Sequence, residues 1–106
     1  MDSQIKLHGH RVELGDVEAN LCALPNVQDA VVVAVTKQGQ VDSLAAFVIL
    51  NRSADGSDFE VSNALKRKLA EHVPSYMVPR RVCLVGTFPM NANGKADRRK
   101  LAETLA

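Results

Sequence analysis

Two valine-rich apolar runs, Ala30 to Val35 and Leu44 to Leu50, constrain the folding of this chain more than any other feature. A strand with one wet face alternates in polarity, whereas these runs are continuous, so they read as strands covered on both faces. Gln38-Gly39-Gln40 marks a hairpin connection between them. Val17, Leu21 and Leu24 share one face of a helix, with Asp16 and Glu18 in its first turn and Pro25 at its end. Ser57-Asp58-Phe59-Glu60 fits a capping box, and Val61, Leu65 and Leu69 follow at helical spacing until Pro74. Gln4 to Leu7 and Arg11 to Leu14 alternate in polarity around His8-Gly9-His10, as a two-stranded hairpin or a bent loop does. Pro79 precedes a last strand, Arg81 to Val85, and a loop over Gly86 to Gly94 leads to a short helix carrying Leu101 and Leu105. The expected fold is α+β: a small sheet backed by two main helices, with an N-terminal two-stranded hairpin and a short C-terminal helix.

The octet Asn93-Gly94-Lys95-Ala96-Asp97-Arg98-Arg99-Lys100 carries the strongest chemical signal. Asn-Gly supplies left-handed turn geometry, and Asp97 is placed to cap the short helix behind it. Lys95, Arg98, Arg99 and Lys100 crowd that helix start, where each cation opposes the macrodipole by about 0.3 to 1 kcal/mol. Helix stability alone does not explain them, whereas an incoming phosphate or carboxylate does, by meeting lysine and backbone N–H groups together. The competing reading is a solvated basic loop. Charge is also split along the chain: residues 1 to 65 hold four cations against nine acids, and residues 66 to 100 hold nine cations against two acids. Such asymmetry suits an acidic or phosphate-bearing partner.

Several function classes fall away. Tyr76 and Phe88 are the only aromatic residues of the basic half, and neither is interleaved with the cations as nucleic-acid binding needs. A P-loop needs a glycine where Pro89 stands and a hydroxyl residue where Ala96 stands. His8 and His10 lack a third ligand nearby, so no metal is expected. Cys22 and Cys83 stand alone in apolar settings and read as buried free thiols. No apolar run approaches the length of a membrane span and the N-terminus lacks a secretory pattern, so the expected compartment is the cytoplasm. Glu13, Asp16 and Glu18 resemble paired acids fit for proton transfer, yet two of them favour a helix start and are read as structural. With 106 residues, 46% hydrophobic, the chain can build one modest core but not a nucleotide site, a substrate pocket and a catalytic apparatus together.

Met1 to Glu18, MDSQIKLHGHRVELGDVE, resembles the hinge and following core motif of amino-acid adenylation domains, in the adenylate-forming superfamily of acyl-CoA ligases and luciferases. Pro89 to Arg98, PMNANGKADR, is similar to the last core motif of that family, and Pro74-Ser75-Tyr76-Met77-Val78-Pro79 resembles the linker before its final strand. The wording is nearest to D-alanine:carrier-protein ligases, with peptide-synthetase adenylation domains close behind. His10 stands where an aromatic residue is common, and Ala96 replaces a common valine.

The resemblance implies that residues 1–106 are the small C-terminal subdomain of a two-part ATP-dependent ligase, hinged at about Asp2. It implies that Lys95 contacts the substrate carboxylate and ATP phosphate during amino-acid adenylation. After rotation, the hairpin of Gly9, His10 and Arg11 would face the site, where the phosphopantetheine thiol of a carrier protein displaces AMP. ATP and Mg2+ would be bound mainly by a large N-terminal subdomain, and the isolated piece would be inactive. The alternatives are a carrier-binding module without chemistry, whose basic run Lys66-Arg67-Lys68 touches an acidic carrier, or the equivalent subdomain of an acyl-CoA ligase.

Overall fold

The computed structural model of the chain describes residues 4–7, 9–51 and 57–104. In chain order these form β1 (Gln4–Leu7), β2 (His10–Glu13), α1 (Leu14–Cys22), β3 (Val27–Lys37), β4 (Gln40–Leu50), α2 (Asp58–Ala70), a 3-10 turn (Ser75–Met77), β5 (Arg81–Leu84) and α3 (Arg98–Glu103). The fold is the expected small α+β domain. β1 and β2 pair antiparallel as a separate two-stranded sheet. β3, β4 and β5 form a second sheet in that order, β3 antiparallel and β5 parallel to β4.

The continuous apolar runs are explained by two hydrophobic clusters, one on each face of the larger sheet. Ala30, Val32, Leu44, Ala46 and Val48 point into the first cluster, which also holds Leu14, Val17 and Leu21 of α1, Leu65 and Leu69 of α2, and Leu7 and Val12 of the hairpin. Val31, Val33, Ala45 and Phe47 point into the second, closed by Phe88 and by Leu101 of α3. Alternate residues of one strand thus serve opposite cores, which is why no polar position interrupts them. Both strands outrun their apolar stretches, because backbone pairing continues past the buried residues into the two-residue turn at Gln38-Gly39.

The elements begin and end close to their sequence signals. Ser57 caps α2, its Oγ accepting from the Glu60 N–H at 3.2 Å. α1 starts earlier than its acids suggest: Leu14 is its first residue rather than the end of β2, so that Leu14, Val17 and Leu21 make one buried face. Glu18 consequently sits in the second turn, not the first. β5 ends at Leu84 rather than Val85.

Cys22 is a correction, since its residue is exposed rather than buried; Cys83 is half-buried, and both are free thiols. Cys22 follows Leu21 and is rotated about 100° round the helix from the buried face. Although the residue is exposed, partial desolvation and then the Asp29 carboxylate push its thiol up, with a smaller contribution from Glu18 and some relief from the Ala30 backbone. Among the described residues no helix is long and apolar enough to cross a membrane.

Two measurements check this picture. Leu69 is fully buried, and Leu69→Ala is expected to lower unfolding free energy by about 2–5 kcal/mol with little change in denaturant m-value. Because a raised pKa leaves less thiolate at a given pH, Cys22 in the folded chain should alkylate more slowly than in urea at pH 8 to 9, a pH window set about the ordinary thiol range. Peptide-resolved mass spectrometry reads that difference, and equal rates would contradict it.

Candidate functional site

The lysine turn is built by its own backbone. Asp97 N–H donates to Pro89 O at 2.8 Å, Met90 bridges Ala96, and Asn91 N–H donates to Lys95 O at 2.8 Å, so residues 89–97 fold back as a tight hairpin. Inside it, Gly94 N–H donates to Asn91 O at 3.0 Å, and the Asn91 Oδ1 accepts from the N–H of Asn93 at 2.9 Å and of Lys95 at 3.1 Å. Gly94 takes φ +77°, a left-handed conformation that a side chain adopts poorly. The turn is seated on the sheet by Phe88 at its start and by Leu101 beyond its end, both buried. Asp97 caps α3 as expected, its Oδ1 accepting from Lys100 N–H at 3.1 Å. Leu105 lies outside the described residues.

Lys95 is exposed, and its ammonium has no ion pair or hydrogen bond with another described residue. The cations around it are not equivalent. Arg98 donates to both carboxylate oxygens of Glu18 at 2.8 Å, and Glu18 Oε2 also accepts from Val32 N–H at 2.7 Å. β3 is an edge strand, so the Val32 N–H on its open side has no strand partner, and Glu18 supplies one. A single carboxylate thus ties α1, β3 and α3 together. It also gives Arg98 a structural reason to stand at the helix start, which the sequence did not show.

The second candidate lies in the β1–β2 hairpin. Gly9 is exposed with φ +83°, and no atom lies within 4 Å of where a Cβ would stand, so the backbone is open to a close neighbour. Lys6 and Arg11 are cross-strand partners on the outer face, both exposed. Beside Gly9 opens a cleft of about 660 Å³, also lined by Lys6, Lys37, Gln40 and Asp42. Asp42 in that cleft is held by Lys37 at 3.8 Å and by Arg80 at 3.2 Å. His10 is exposed, and its ring stacks on Tyr76 with centroids 4.0 Å apart and planes 11° apart.

The fold does not bring Lys95 and Gly9 into one site. The hairpin is anchored through Leu7 and Val12 on the first face of the sheet, and the lysine turn through Phe88 and Ala96 on the second. Asp2 and His8 lie outside the described residues. Among those described, no three His, Cys, Asp or Glu side chains group in a way that holds a metal. Lys95, exposed on its turn, offers a cation to an anion from outside the described residues.

The chain matches the AMP-binding enzyme C-terminal domain family over residues 16–95, from α1 to the lysine turn, and belongs to it. Its relatives include D-alanine--D-alanyl carrier protein ligases of Bacillus anthracis, 41% identical over 95% of this chain, and of Bacillus mycoides, 42% identical over the same share. The chain spans about a fifth of the length of these curated relatives. Among solved structures it is similar to the amide bond synthetase McbA from Marinactinospora thermotolerans, 27% identical with a TM-score of 0.83 over 97% of this chain and 20% of that one. It is also similar to Klebsiella oxytoca NpsA in complex with 3-hydroxyanthranilyl-AMSN, 29% identical with a TM-score of 0.76 over 97% of this chain and 19% of that one.

The Glu18 bridge makes an asymmetric prediction. Arg98→Ala removes a half-exposed ion pair and should cost about 0–1 kcal/mol. Glu18→Ala also orphans the Val32 N–H and should cost about 1–3 kcal/mol. Urea unfolding of both variants orders them, and equal losses would show that the Val32 bond contributes nothing.

Proposed function

We propose that this domain is the mobile C-terminal subdomain of an ATP-dependent ligase that adenylates an amino acid, D-alanine being the first candidate, and transfers it to the phosphopantetheine thiol of a carrier protein. The observation that carries the reading is the placement of Lys95 and Gly9 on opposite faces of one sheet. Two functional groups so arranged serve one external cleft in turn, by rotation of the whole lobe. The names of the curated relatives, matched over nearly the whole of this chain, support the substrate and the carrier.

The amino-acid carboxylate attacks the α-phosphorus of ATP and releases pyrophosphate, and the carrier thiol then attacks the acyl-adenylate carbonyl, forming the thioester and releasing AMP. The part played by this chain is electrostatic and steric. In the adenylation orientation Lys95 meets the charge that builds between substrate carboxylate and phosphate. Because the Asn91 carboxamide and the 89–97 hydrogen bonds already fix its backbone, little reorganisation is needed when the anion arrives. In the transfer orientation the bare backbone at Gly9 lets the pantetheine arm pass close, with His10 and Arg11 beside it. Asp2 serves as the hinge. Mg2+ and the main nucleotide contacts belong to a large N-terminal subdomain, so the isolated domain is expected to catalyse neither half-reaction. The proposed setting is the cytoplasm, where ATP is present.

The test is a pair of substitutions in the full-length protein, each assayed for D-alanine-dependent pyrophosphate exchange and for transfer from preformed adenylate to holo-carrier. Lys95→Ala should lower exchange by about 10²–10³-fold and leave transfer within a few-fold. Gly9→Val, strained at a positive φ, should show the reverse pattern. Equal retention of both half-reactions in Lys95→Ala would refute the assignment, and transfer to free CoA in preference to the carrier would move the domain to an acyl-CoA ligase.

A further inference from the structure

The hairpin carrying Gly9 is a two-stranded sheet with no backbone pairing to the larger sheet, and such a unit is marginal unless something else holds it. Leu7 and His10 are the last cross-strand pair before the turn. Leu7 enters the core right beside the turn, whereas on the other strand the first buried residue is Val12, and the exposed His10 next to Gly9 is not held by burial. What it has is Tyr76, stacked on its imidazole at 4.0 Å with the planes 11° from parallel. Tyr76 is itself presented by a stiff platform. It lies in the 3-10 turn, where Met77 N–H donates to Pro74 O at 2.9 Å and Val78 N–H to Ser75 O at 3.1 Å. Pro74 precedes that turn and the fully buried Pro79 follows it, and Tyr76 packs partly against the first core cluster.

We propose that Tyr76, acting through the imidazole of His10, is a positioning residue that sets the attitude of the Gly9 turn for acyl transfer to the pantetheine thiol. The inference rests on the reading of the hairpin given under Proposed function. A flat aromatic pair resists tilting of one ring against the other, and His10 is the residue immediately after Gly9, so any tilt is passed directly to the turn. The imidazole thus performs the stacking for which an aromatic residue would serve equally. Loss of the stack frees the turn without opening the core, since Leu7 and Val12 remain buried.

In the full-length protein, with D-alanine, ATP and holo-carrier as probes, His10→Ala and Tyr76→Leu should slow single-turnover transfer by about tenfold or more, as expected for misplaced reacting groups. Pyrophosphate exchange should stay within about twofold of the parent, because the hairpin does not face the site in that orientation. Tyr76→Phe, which keeps the ring pair, should transfer at close to the parental rate. The double variant His10→Ala/Tyr76→Leu should be no slower than either single one. Loss of both half-reactions together, unaltered transfer in His10→Ala, or additive losses in the double variant would each overturn the proposal. A separate measurement does not depend on the enzyme reading. Hydrogen exchange of the peptide spanning residues 5–12 should accelerate in Tyr76→Leu at unchanged melting temperature, and unchanged exchange would sink the positioning claim. Parent protein lacking D-alanine-dependent exchange, together with the expected acceleration, would instead locate the failure in the functional reading.

Discussion

One carboxylate, that of Glu18 on α1, hydrogen-bonds to both β3 and α3. It receives the Val32 N–H on the open side of β3 and, on both of its oxygens, the Nη2 of Arg98 from α3. Without an acceptor there, the edge strand would present an unpaired donor at a partly covered position, and α3 would hold to the sheet mainly through Leu101 and Ala102. A charge-assisted contact at this site adds to the hold that Leu101 and Ala102 already give the short helix. The lysine turn lies directly before that helix. Besides Phe88 and Leu101, an acid on α1, eighty residues away in sequence from Arg98, thus contributes to its placement.

The two-sided sheet supplies the other constraint. With β3 and β4 buried on both faces, the described residues leave no broad open sheet surface, and the candidate groups Lys95 and Gly9 stand on turns at the periphery. Each such turn is made rigid in a different way. The lysine turn is held by backbone hydrogen bonds and the Asn91 side chain, and the glycine hairpin by core anchors on both strands, Leu7 and Val12, together with the ring stacking at His10. Rigid displays on separate faces suit a lobe that presents them one at a time to a neighbour, which is the basis of the functional reading. Lys95, exposed on its turn, keeps its charge available to an anion from outside the domain.

Much of this was legible from residue order. The continuous valine-rich runs specified strands buried on both faces, Ser57 and Asp97 specified helix starts, and Asn93-Gly94 specified the turn that carries Lys95, because each depends on chemistry within a few residues. The family motifs at both ends pointed to the same domain that the fold displays. The acids of α1 were harder to read. A helix-start role for Glu18 was a reasonable local inference, but local reasoning has no way to see Arg98 or the unpaired N–H of Val32. Cys22 was misplaced for a related reason, since apolar neighbours in sequence need not be neighbours on a helix surface.

The sequence by itself determined the elements, the two-sided burial of the central strands and the identity of the residues offered on turns, since these follow from periodicity, capping and turn chemistry at short range. Tertiary structure alone decided that Lys95 and Gly9 stand on opposite faces, that Glu18 clamps the helix behind the lysine turn, and that His10 rests on Tyr76. Those outcomes depend on which surfaces pack together across long stretches of chain, and pairwise contacts between distant residues leave no periodic trace in the order of amino acids.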